Sequence, residues 1–404
     1  MLDNAVLQTC AARVPVVSPA PPDLRVLQLG MGWFPEQAGG SNRMYFGLMQ
    51  HFAAAGVQAD GIVAGQPACM PGTPSVSTFA PHEAPLPTRL LRARQLARTR
   101  DLEDYQLACS HFALYTLPML DALSGLPLVV HFHGPWASEG AVEGDRRIVT
   151  HAKKWVESRV YSRASRFVVL SRAFRDVLER DYRVSADRIS IVPGGVDCRH
   201  FSSSLTQRDA RLRLGLPLDR AVVFCVRRLA PRMGLRALID AVDVVRREVP
   251  DALVLIAGKG ILAAELGARI EALSLGEHVR LLGFVPDDML PVAYRAADLS
   301  IVPTQCLEGF GLVAAESLAA GTPVLVTPSG GLPEVVEDLS PQLVLPGSGR
   351  DAIAAGLIAA LRGRIKLPSS QRCQEFAARF DWPRIAQQTA SVYRAALARA
   401  ARLH

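Results

Sequence analysis

Two glutamates, Glu308 and Glu316, stand eight residues apart, and a Gly-Phe-Gly turn lies between them. The small apolar residues from Leu312 onward predict a helix, so Glu308 precedes that helix and Glu316 lies about one turn inside it. The first amides of a helix have no partner within it, and the helix dipole makes this end positive. The glycines also let a ligand approach the backbone closely. The segment therefore predicts a site for phosphate and for sugar hydroxyls at the backbone of Gly309, Phe310, Gly311 and Leu312.

The two carboxylates also have a simpler interpretation. Glu308 would then be a solvated loop residue, and Glu316 would only interact favourably with the dipole of its own helix. In the functional interpretation, Glu308 accepts hydrogen bonds from the hydroxyl groups of a bound sugar. The other motifs of the chain favour the functional interpretation.

Two further segments carry side chains suited to a polar or anionic ligand. In "RRLAPRMG", residues 227–234, Arg228 and Arg232 provide guanidinium groups, which bind phosphate bidentately. In "VVHFHGPW", His131 and His133 stand at the end of an apolar run, and in a strand they point to opposite faces. Strand-end histidines are often structural, so position alone assigns neither of them a role.

These segments follow apolar runs that alternate with helical patterns along the chain. Runs of aliphatic and β-branched residues without polar alternation predict strands that are buried on both faces, as in parallel sheets. The alternation with helices predicts βαβ units and doubly wound sheets, and two successive sets of runs predict two Rossmann-like α/β domains. The predicted strands are 24–30, 61–65, 107–111, 127–134, 166–171 and 189–195 in the first set, and 221–229, 252–258, 279–285, 299–304 and 323–327 in the second.

A polar stretch at 198–220 carries no apolar strand until Ala221 and marks the domain boundary. A ligand should lie between the domains, outside the carboxyl ends of the strands. The C-terminal segment is amphipathic after Pro383 and predicts a helix, for which a return to the N-terminal domain is one option. The expected parts are a flexible leader at 1–23, an N-terminal acceptor domain at 24–205, a C-terminal donor domain at 206–380 and the C-terminal helix at 381–404.

The composition favours a cytoplasmic protein with polyanionic partners. At 404 residues the chain suits two domains, and no apolar run approaches the roughly 20 residues that span a bilayer. The N-terminus lacks the basic start and apolar block of a signal peptide. The seven cysteines of the chain are scattered without zinc-ligand spacing, which indicates a reducing compartment. The net charge of +7 favours phosphates, nucleic acid or anionic lipid as partners, but no nucleic-acid module is recognisable.

Six motifs, in order, resemble those of the retaining, nucleotide-sugar-dependent glycosyltransferases of family 4, which have the GT-B architecture. The resemblance extends from about residue 24 to the end of the chain and includes the E-x7-E motif of that family. It implies transfer of a sugar from a nucleoside diphosphate sugar to a saccharide or lipid-linked acceptor, in polysaccharide or glycolipid biosynthesis. The motifs are "GG" at 39–40, "HFHG" at 131–134, "VPGGVD" at 192–197, "RRLAPRMG" at 227–234, "GFVP" at 283–286 and "EGFGLVAAE" at 308–316.

The resemblance also implies which residues bind the donor. Glu316 would hold the ribose hydroxyls of the nucleotide. The loop with Gly39 and Gly40 would close over the diphosphate and the donor sugar. The backbone around Lys259 and Val285 would contact the base, whose identity the sequence leaves open.

His133 best matches the family's histidine that faces the donor sugar and the acceptor, and His131 is the alternate. In retaining enzymes of this type the acceptor attacks on the face that the leaving diphosphate vacates, and a phosphate oxygen helps to take its proton. We therefore expect His133 to position and polarise its partners rather than to act as a general base. The chain lacks the D-x-D motif that holds a divalent metal in the other glycosyltransferase architecture. Metal independence and the absence of a cofactor are the expectation.

One position departs from the family. The donor site usually has an arginine and, five residues on, a lysine, and both bind the diphosphate. Arg228 matches the arginine, but Met233 stands at the lysine position. We expect Arg232 to supply the missing charge. The alternative is a catalytically degenerate GT-B subunit that binds a sugar nucleotide or a partner enzyme; a GT-B nucleotide-sugar epimerase fits the E-x7-E motif less well.

Positive charge is concentrated in two segments of the first domain, 89–100 and 145–166. In the second segment, basic residues accompany Ile148 and Trp155, and a basic helix with an aromatic residue can lie on an anionic membrane. The protein would then be peripheral on the inner membrane face and would act on a polyprenyl-diphosphate-linked saccharide or another lipid. A solvated helix that packs its apolar face on the sheet is the alternative.

Overall fold

The computed structural model describes residues 24–65 and 75–401, and the predicted leader at 1–23 lies outside these ranges. In chain order the strands are β1 Leu24–Leu29, β2 Val57–Ala64, β3 Val76–Ala80, β4 Leu107–Ser110, β5 Leu128–Phe132, β6 Arg166–Val169, β7 Ile189–Ile191, β8 Val222–Val226, β9 Leu253–Ala257, β10 Val279–Gly283, β11 Leu299–Val302 and β12 Val324–Val326.

The helices surround two sheets built from these strands. They are α1 Gly40–His51, α2 Leu86–Thr99, α3 Ala113–Thr116, α4 Trp136–Val142, α5 Arg147–Arg163, α6 Arg172–Tyr182, α7 Cys198–Phe201, α8 Gln207–Arg213, α9 Leu235–Glu248, α10 Ala263–Ala272, α11 Leu290–Ala296, α12 Leu312–Ala319, α13 Leu332–Val336, α14 Arg350–Leu361, α15 Ser370–Ala377 and α16 Trp382–Ala400.

Both sheets are parallel and doubly wound, as the sequence predicts. Within the described ranges the first sheet has the order β3-β2-β1-β4-β5-β6-β7, and the second has the order β10-β9-β8-β11-β12. In the first, Val26 of β1 pairs with Ala59 of β2 on one side and Leu107 of β4 on the other. The strand order reverses beside β1 and beside β8, and ligands of such sheets bind at these reversals.

The first sheet differs from the prediction at its edge. Strand β3 was not predicted, and the strand predicted from residue 61 begins at Val57, four residues earlier. The sequence of β3, "VSTFA", includes serine and threonine; its first two residues are partly buried and the third is exposed. An edge strand of this kind lacks the continuous apolar run by which the central strands were recognised.

The C-terminal helix α16 packs on the first domain. Trp382, at its start, stacks on His51 of α1 with ring centroids 6.0 Å apart. Side chains of α16, including Ile385 and Tyr393, are fully buried in the same apolar cluster as β1 and α1. A Cβ on Gly47 would lie 2.1 Å from the Trp382 ring, so the closest approach of the two helices depends on that glycine.

Among residues 24–65 and 75–401, every helix is either too short or too polar to cross a bilayer.

Candidate active site in the cleft between the two domains

A cleft of about 740 Å³ lies between the two domains. The segments that follow β1, β4 and β5 line it from the first sheet, and those that follow β8 and β9 line it from the second. The carboxyl edges of both sheets therefore face the cleft. Of the predicted site residues, those that line it are Gly39, Gly40, His133, Arg228, Arg232, Lys259, Glu308, Gly309, Phe310, Gly311, Leu312 and Glu316.

Helix α12 begins at Leu312, as predicted. The preceding Gly311 has a φ of 96°, in the left-handed region, and a Cβ on it would lie 2.3 Å from Leu332. Glycine is therefore required where the turn enters the helix. In the described part of the chain, no backbone carbonyl outside the regular elements accepts a hydrogen bond from the amides of residues 309–312. This end of α12 is chemically suited to an anionic group.

Glu316 is buried within α12, with a side chain only 5% exposed. Its carboxylate lies 3.4 Å from Arg43 of α1 and accepts a hydrogen bond of 3.3 Å from the Tyr294 hydroxyl. Burial raises the pKa of this carboxyl, and the charge of Arg43 opposes the rise. Arg43 also pairs with Asp287. The Glu316 carboxylate therefore interacts with a cation of the other domain. The dipole of its own helix is not its sole electrostatic partner.

Glu308 is paired and mostly buried, so its interpretation as a solvated loop residue is wrong. Its side chain is 15% exposed and forms an ion pair with Arg227, which is 8% exposed. Arg227 contacts Oε2 of Glu308, and the Thr304 hydroxyl donates to the same oxygen at 3.4 Å. Leu307, the preceding residue, has a φ of 55°. Left-handed backbone at a residue other than glycine is costly and is concentrated at functional sites.

Arg227 is a site residue that the sequence analysis did not assign. Its guanidinium donates to Thr304 as well as to Glu308. The adjacent arginines Arg227 and Arg228 were the signal available in the sequence. One sequence cannot show, however, that Arg227 pairs with Glu308, which lies 81 residues away.

Arg228 and Arg232 meet at one carboxylate of the first domain. Glu143, at the end of α4, lies 2.7 Å from Arg228 and 3.2 Å from Arg232, through the same oxygen. Glu139 of α4 lies 3.5 Å from Arg232. Burial raises the pKa of Glu139, and Arg232 opposes that rise. The sequence analysis assigned no role to either glutamate.

Met233 is buried in the core of the second domain and is 6% exposed. Arg232 extends to the cleft, where its Nη1 donates to the Leu307 carbonyl at 3.0 Å. This contact places the guanidinium beside the turn that leads into α12. The role of Arg232 as a replacement for the usual lysine stays a prediction, and this geometry is compatible with it.

His133 belongs to a hydrogen-bonded group that the motif did not reveal. Its Nε2 lies 3.0 Å from Nδ1 of His111, and Nε2 of His111 lies 2.8 Å from Oε1 of Gln28. His131 lies on the same network, with its Nε2 2.7 Å from the Tyr393 hydroxyl of α16. Burial lowers the pKa of His133 to about 4, so its ring is neutral near pH 7.

The two ends of the predicted donor site are less enclosed. Gly39 has a φ of 149°, and α1 begins at Gly40, so this loop opens directly onto the cleft. At the other end, Lys259 lies 5.4 Å from the ring centroid of Phe284, which is 58% exposed. Phe284 lines the cleft, whereas the side chain of Val285 packs against the core of the second domain. Phe284 is therefore a further candidate for contact with a base.

Across the described ranges, no three His, Cys, Asp or Glu side chains come together in an arrangement that could hold a metal ion.

Two family models match the chain in succession. Residues 38–200 match "Glycosyltransferase Family 4", and residues 206–380 match "Glycosyl transferases group 1". The D-inositol 3-phosphate glycosyltransferase of Corynebacterium glutamicum is 30% identical over 311 residues, which are 74% of this chain and 74% of that protein. The enzyme of the same name from Segniliparus rotundus is 30% identical over 279 residues, which are 68% of this chain but only 62% of that longer relative.

A third relative is named for a different substrate. The GDP-mannose-dependent alpha-(1-6)-phosphatidylinositol monomannoside mannosyltransferase of Mycolicibacterium smegmatis is 36% identical over 173 residues, which are 41% of this chain and 45% of that protein. For the Segniliparus and Mycolicibacterium relatives, the matched segment spans less than two thirds of the relative's length.

Solved structures support the same fold. Sucrose-phosphate synthase from Thermosynechococcus elongatus has a TM-score of 0.77 at 22% identity, over 93% of this chain and 99% of that one. Anabaena HepE in complex with UDP-glucose has a TM-score of 0.74 at 21% identity, over 92% of this chain and 100% of that one. Together with the two parallel-sheet domains, these similarities confirm the expected GT-B architecture. The chain belongs to glycosyltransferase family 4.

Proposed function

We propose that this protein is a retaining, metal-independent glycosyltransferase that uses a nucleoside diphosphate sugar as donor and a saccharide or lipid-linked acceptor. The observation that carries the proposal is the position of Arg232, whose guanidinium lies against the turn before α12 and shares Glu143 with Arg228. Two cationic side chains and a helix amino end thus border one region of the cleft. Such a region suits a diphosphate.

The proposed reaction uses these groups to stabilise the leaving group. The bond between the anomeric carbon and the diphosphate oxygen breaks, and its electron pair leaves with the diphosphate. The acceptor oxygen bonds to the anomeric carbon on the same face, and its proton passes to a phosphate oxygen. Arg228, Arg232 and the amides of α12 would stabilise the charge that develops on the diphosphate. Glu316 would hold the ribose, and Glu308 would hold hydroxyls of the sugar.

Arg227 has a supporting role in this scheme. This role follows from the ion pair with Glu308, in which Arg227 fixes the orientation of the carboxylate. The contacts from Arg227 and Thr304 use Oε2 of Glu308. The second oxygen can then accept a hydrogen bond from the donor sugar.

Names of similar proteins support the class of substrate. HepE was solved with UDP-glucose, and the Mycolicibacterium relative is named for GDP-mannose and a phosphatidylinositol monomannoside. These names support a UDP- or GDP-linked hexose as the donor. They are also compatible with a lipid-linked saccharide as the acceptor.

Donor hydrolysis in the presence of a chelator tests the proposal without knowledge of the acceptor, because water replaces it. We expect slow release of sugar from one class of donor. Arg228→Ala and Arg232→Ala should each lower the rate by about 100-fold, since each removes a group that stabilises the leaving diphosphate. Arg236→Ala, which breaks a pair with Glu265 on the surface, is the matched control and should leave the rate unchanged.

Two outcomes would contradict parts of this account. A full rate in Arg232→Ala, together with a loss in Arg228→Ala, would show that Arg232 does not replace the usual lysine. Failure of the wild-type protein to turn over any nucleoside diphosphate sugar would favour the degenerate subunit.

We also propose that the protein is cytoplasmic and binds the membrane through α5. Ile148 and Trp155 are 72% and 62% exposed on one face of this helix, and Arg159 is exposed on the same face. Their spacing of seven and four residues keeps them on one side of a helix. Apolar and basic side chains on one face are suited to an anionic lipid surface. Other residues of the segment, such as Val160, are buried in the domain core.

Cosedimentation with vesicles tests the membrane proposal. The double variant Ile148→Ser/Trp155→Ser should lose most of its binding to vesicles that contain anionic phospholipid, because the apolar part of the surface is removed. Leu212→Ser, at a position 58% exposed on the second domain, is the matched control. Equal binding by the double variant and the control, or equal binding to neutral and anionic vesicles, would contradict the proposal.

A further inference from the structure

A chain of buried hydrogen bonds connects β1 to the cleft. Gln28 of β1 is completely buried, and both ends of its amide are used. Oε1 lies 2.8 Å from Nε2 of His111, and Nε2 donates to the Tyr393 hydroxyl at 3.1 Å. The amide oxygen faces His111 and the amide nitrogen faces Tyr393, and this orientation sets donor and acceptor at both contacts.

The Tyr393 hydroxyl completes one arm of this network. It accepts from Gln28 and lies 2.7 Å from Nε2 of His131. The hydroxyl has one proton and two lone pairs, so while it accepts from the amide it can donate that proton to His131. The orientation of Gln28 is thus consistent with both of the contacts made by Tyr393.

The other arm runs through His111 to His133. The carbonyl oxygen of Gln28 can only accept, so Nε2 of His111 carries a proton. Burial and the neighbouring histidines lower the pKa of His111 well below its usual range, so its ring is neutral and Nδ1 is an acceptor. Nδ1 lies 3.0 Å from Nε2 of His133, which must therefore donate.

This order of donors and acceptors leaves Nδ1 of His133 without a proton. His133 is neutral and carries its proton on Nε2, so Nδ1 has a free lone pair. In the described part of the protein, Nδ1 of His133 is buried and has no hydrogen-bond partner. His133 lines the cleft between the domains. A buried nitrogen that lacks a partner costs free energy unless a ligand supplies a donor.

We propose that Gln28 and His111 are positioning residues that hold His133 in the Nε2-protonated tautomer, so that its Nδ1 accepts a hydrogen bond from a sugar hydroxyl in the cleft. The hydroxyl that donates to Nδ1 gains electron density on its oxygen and is held in one orientation. The opposite tautomer would present an N–H group and would bind the same hydroxyl with the opposite polarity. The role in transfer rests on the proposed function, whereas the tautomer itself does not.

The tautomer can be read directly by two-dimensional NMR of protein with 15N-labelled histidine, in which the shifts of Nδ1 and Nε2 show which one carries the proton. Signals are assigned with His133→Asn. In the wild-type protein His133 should be present in the Nε2-protonated form alone. Gln28→Met removes the acceptor that fixes His111, and Tyr393→Phe frees the amide to rotate. Both variants should show a mixture of tautomers at His133.

The matched control is Thr116→Val. Thr116 is completely buried and shares a hydrogen bond of 2.8 Å with Ser110, beside His111. Its loss should lower stability without a change in the His133 tautomer. If donor hydrolysis is measurable, Gln28→Met should also lower it by about tenfold, in line with the loss of one hydrogen bond that orients a reacting group.

Three results would overturn the proposal. They are an Nδ1-protonated His133 in the wild-type protein, a tautomer that stays fixed in both Gln28→Met and Tyr393→Phe, and an equal change in Thr116→Val. The wild-type spectrum suffices for the first, even if a variant fails to fold. Because the spectra need no substrate, their outcome is independent of whether the protein transfers sugar.

Discussion

Three histidines of the first domain lie against one another in the described structure. The ring centroid of His111 is 4.1 Å from that of His131 and 5.2 Å from that of His133. Burial is the main cause that lowers the pKa of each of them. Neutral rings can stack at these distances, whereas protonation would place like charges side by side. The site is therefore built for uncharged histidines.

These buried histidines should make the folded protein less stable as the pH is lowered. Below the ordinary histidine pKa of 6.5 the unfolded chain binds protons that the folded protein does not bind until near pH 4 at His133. The free energy of unfolding then decreases by up to about 1.4 kcal/mol per pH unit for each histidine. In His133→Asn the slope of the unfolding free energy against pH should be smaller between these pH values, because unfolding then takes up about one proton fewer. Urea unfolding at a series of pH values measures it.

His151, an exposed histidine of α5, provides the control for this experiment. His151→Asn should keep the slope of the wild-type protein. A slope in His133→Asn that equals the slope of the control would mean that His133 titrates alike in the folded and unfolded states.

Sequence reasoning reached His133 but not its partners. A motif places a residue at the end of β5, and physical rules then give its chemistry. Gln28 and His111 are 83 residues apart, and their contact depends on the pairing of β1 with β4. The same limit applies to Arg227 with Glu308 and to Arg228 with Glu143. Such pairs form across the sheet or the cleft, and no local periodicity reports them.

Helix α4 is the element that brings negative charge to the predicted donor site. It follows the strand-end segment with His133, so Glu139 and Glu143 reach the opposite domain. A diphosphate at Arg228 and Arg232 would compete with Glu143 for the same guanidinium groups. The carboxylate would therefore weaken the binding of an anionic ligand, and its ion pairs with Arg228 and Arg232 join the two domains.

Glu143→Gln should tighten the binding of a nucleoside diphosphate. The variant keeps the size of the side chain but removes the charge that competes for Arg228 and Arg232. Because Arg228 is 54% exposed, solvent screens the pair, and we expect a gain of about two- to fivefold in affinity. Isothermal titration calorimetry gives the dissociation constants. Glu103→Gln, which removes an exposed charge elsewhere on the first domain, serves as the control.

Affinity in Glu143→Gln that is lower than, or equal to, that of Glu103→Gln would mean that Glu143 does not compete with the ligand. It would then have to contribute to binding or to lie away from the diphosphate.

Elements were predictable where one physical effect dominates. The central strands, buried on both faces, are continuous apolar runs, and the start of α12 follows from the glycine turn before Leu312. Strand β3 was missed because an edge position needs no such run. Helix α4 was not assigned either, since its seven residues follow a proline and carry no long apolar repeat.

Across the whole molecule, the two domains are joined by contacts on both sides of the cleft. Glu334 of α13 accepts hydrogen bonds of 2.9 Å and 3.1 Å from the backbone amides of Arg172 and Ala173, at the start of α6 in the first domain. Arg43 reaches Glu316 from the other side. Helix α16 then crosses back to cover β1 and α1. These contacts place the arginines, the histidines and α12 around one space.

The central claim is that this space binds the nucleoside diphosphate part of a donor through α12 and Glu316. The most direct measurement is thermal unfolding with UDP, GDP or ADP in the presence of a chelator, for the wild-type protein and for Glu316→Gln. A nucleotide at 100 times its dissociation constant should stabilise the wild-type protein by about 2.7 kcal/mol, and Glu316→Gln should lose most of that gain. Unfolding temperatures unchanged by all three nucleotides, or equal gains in both proteins, would contradict the claim.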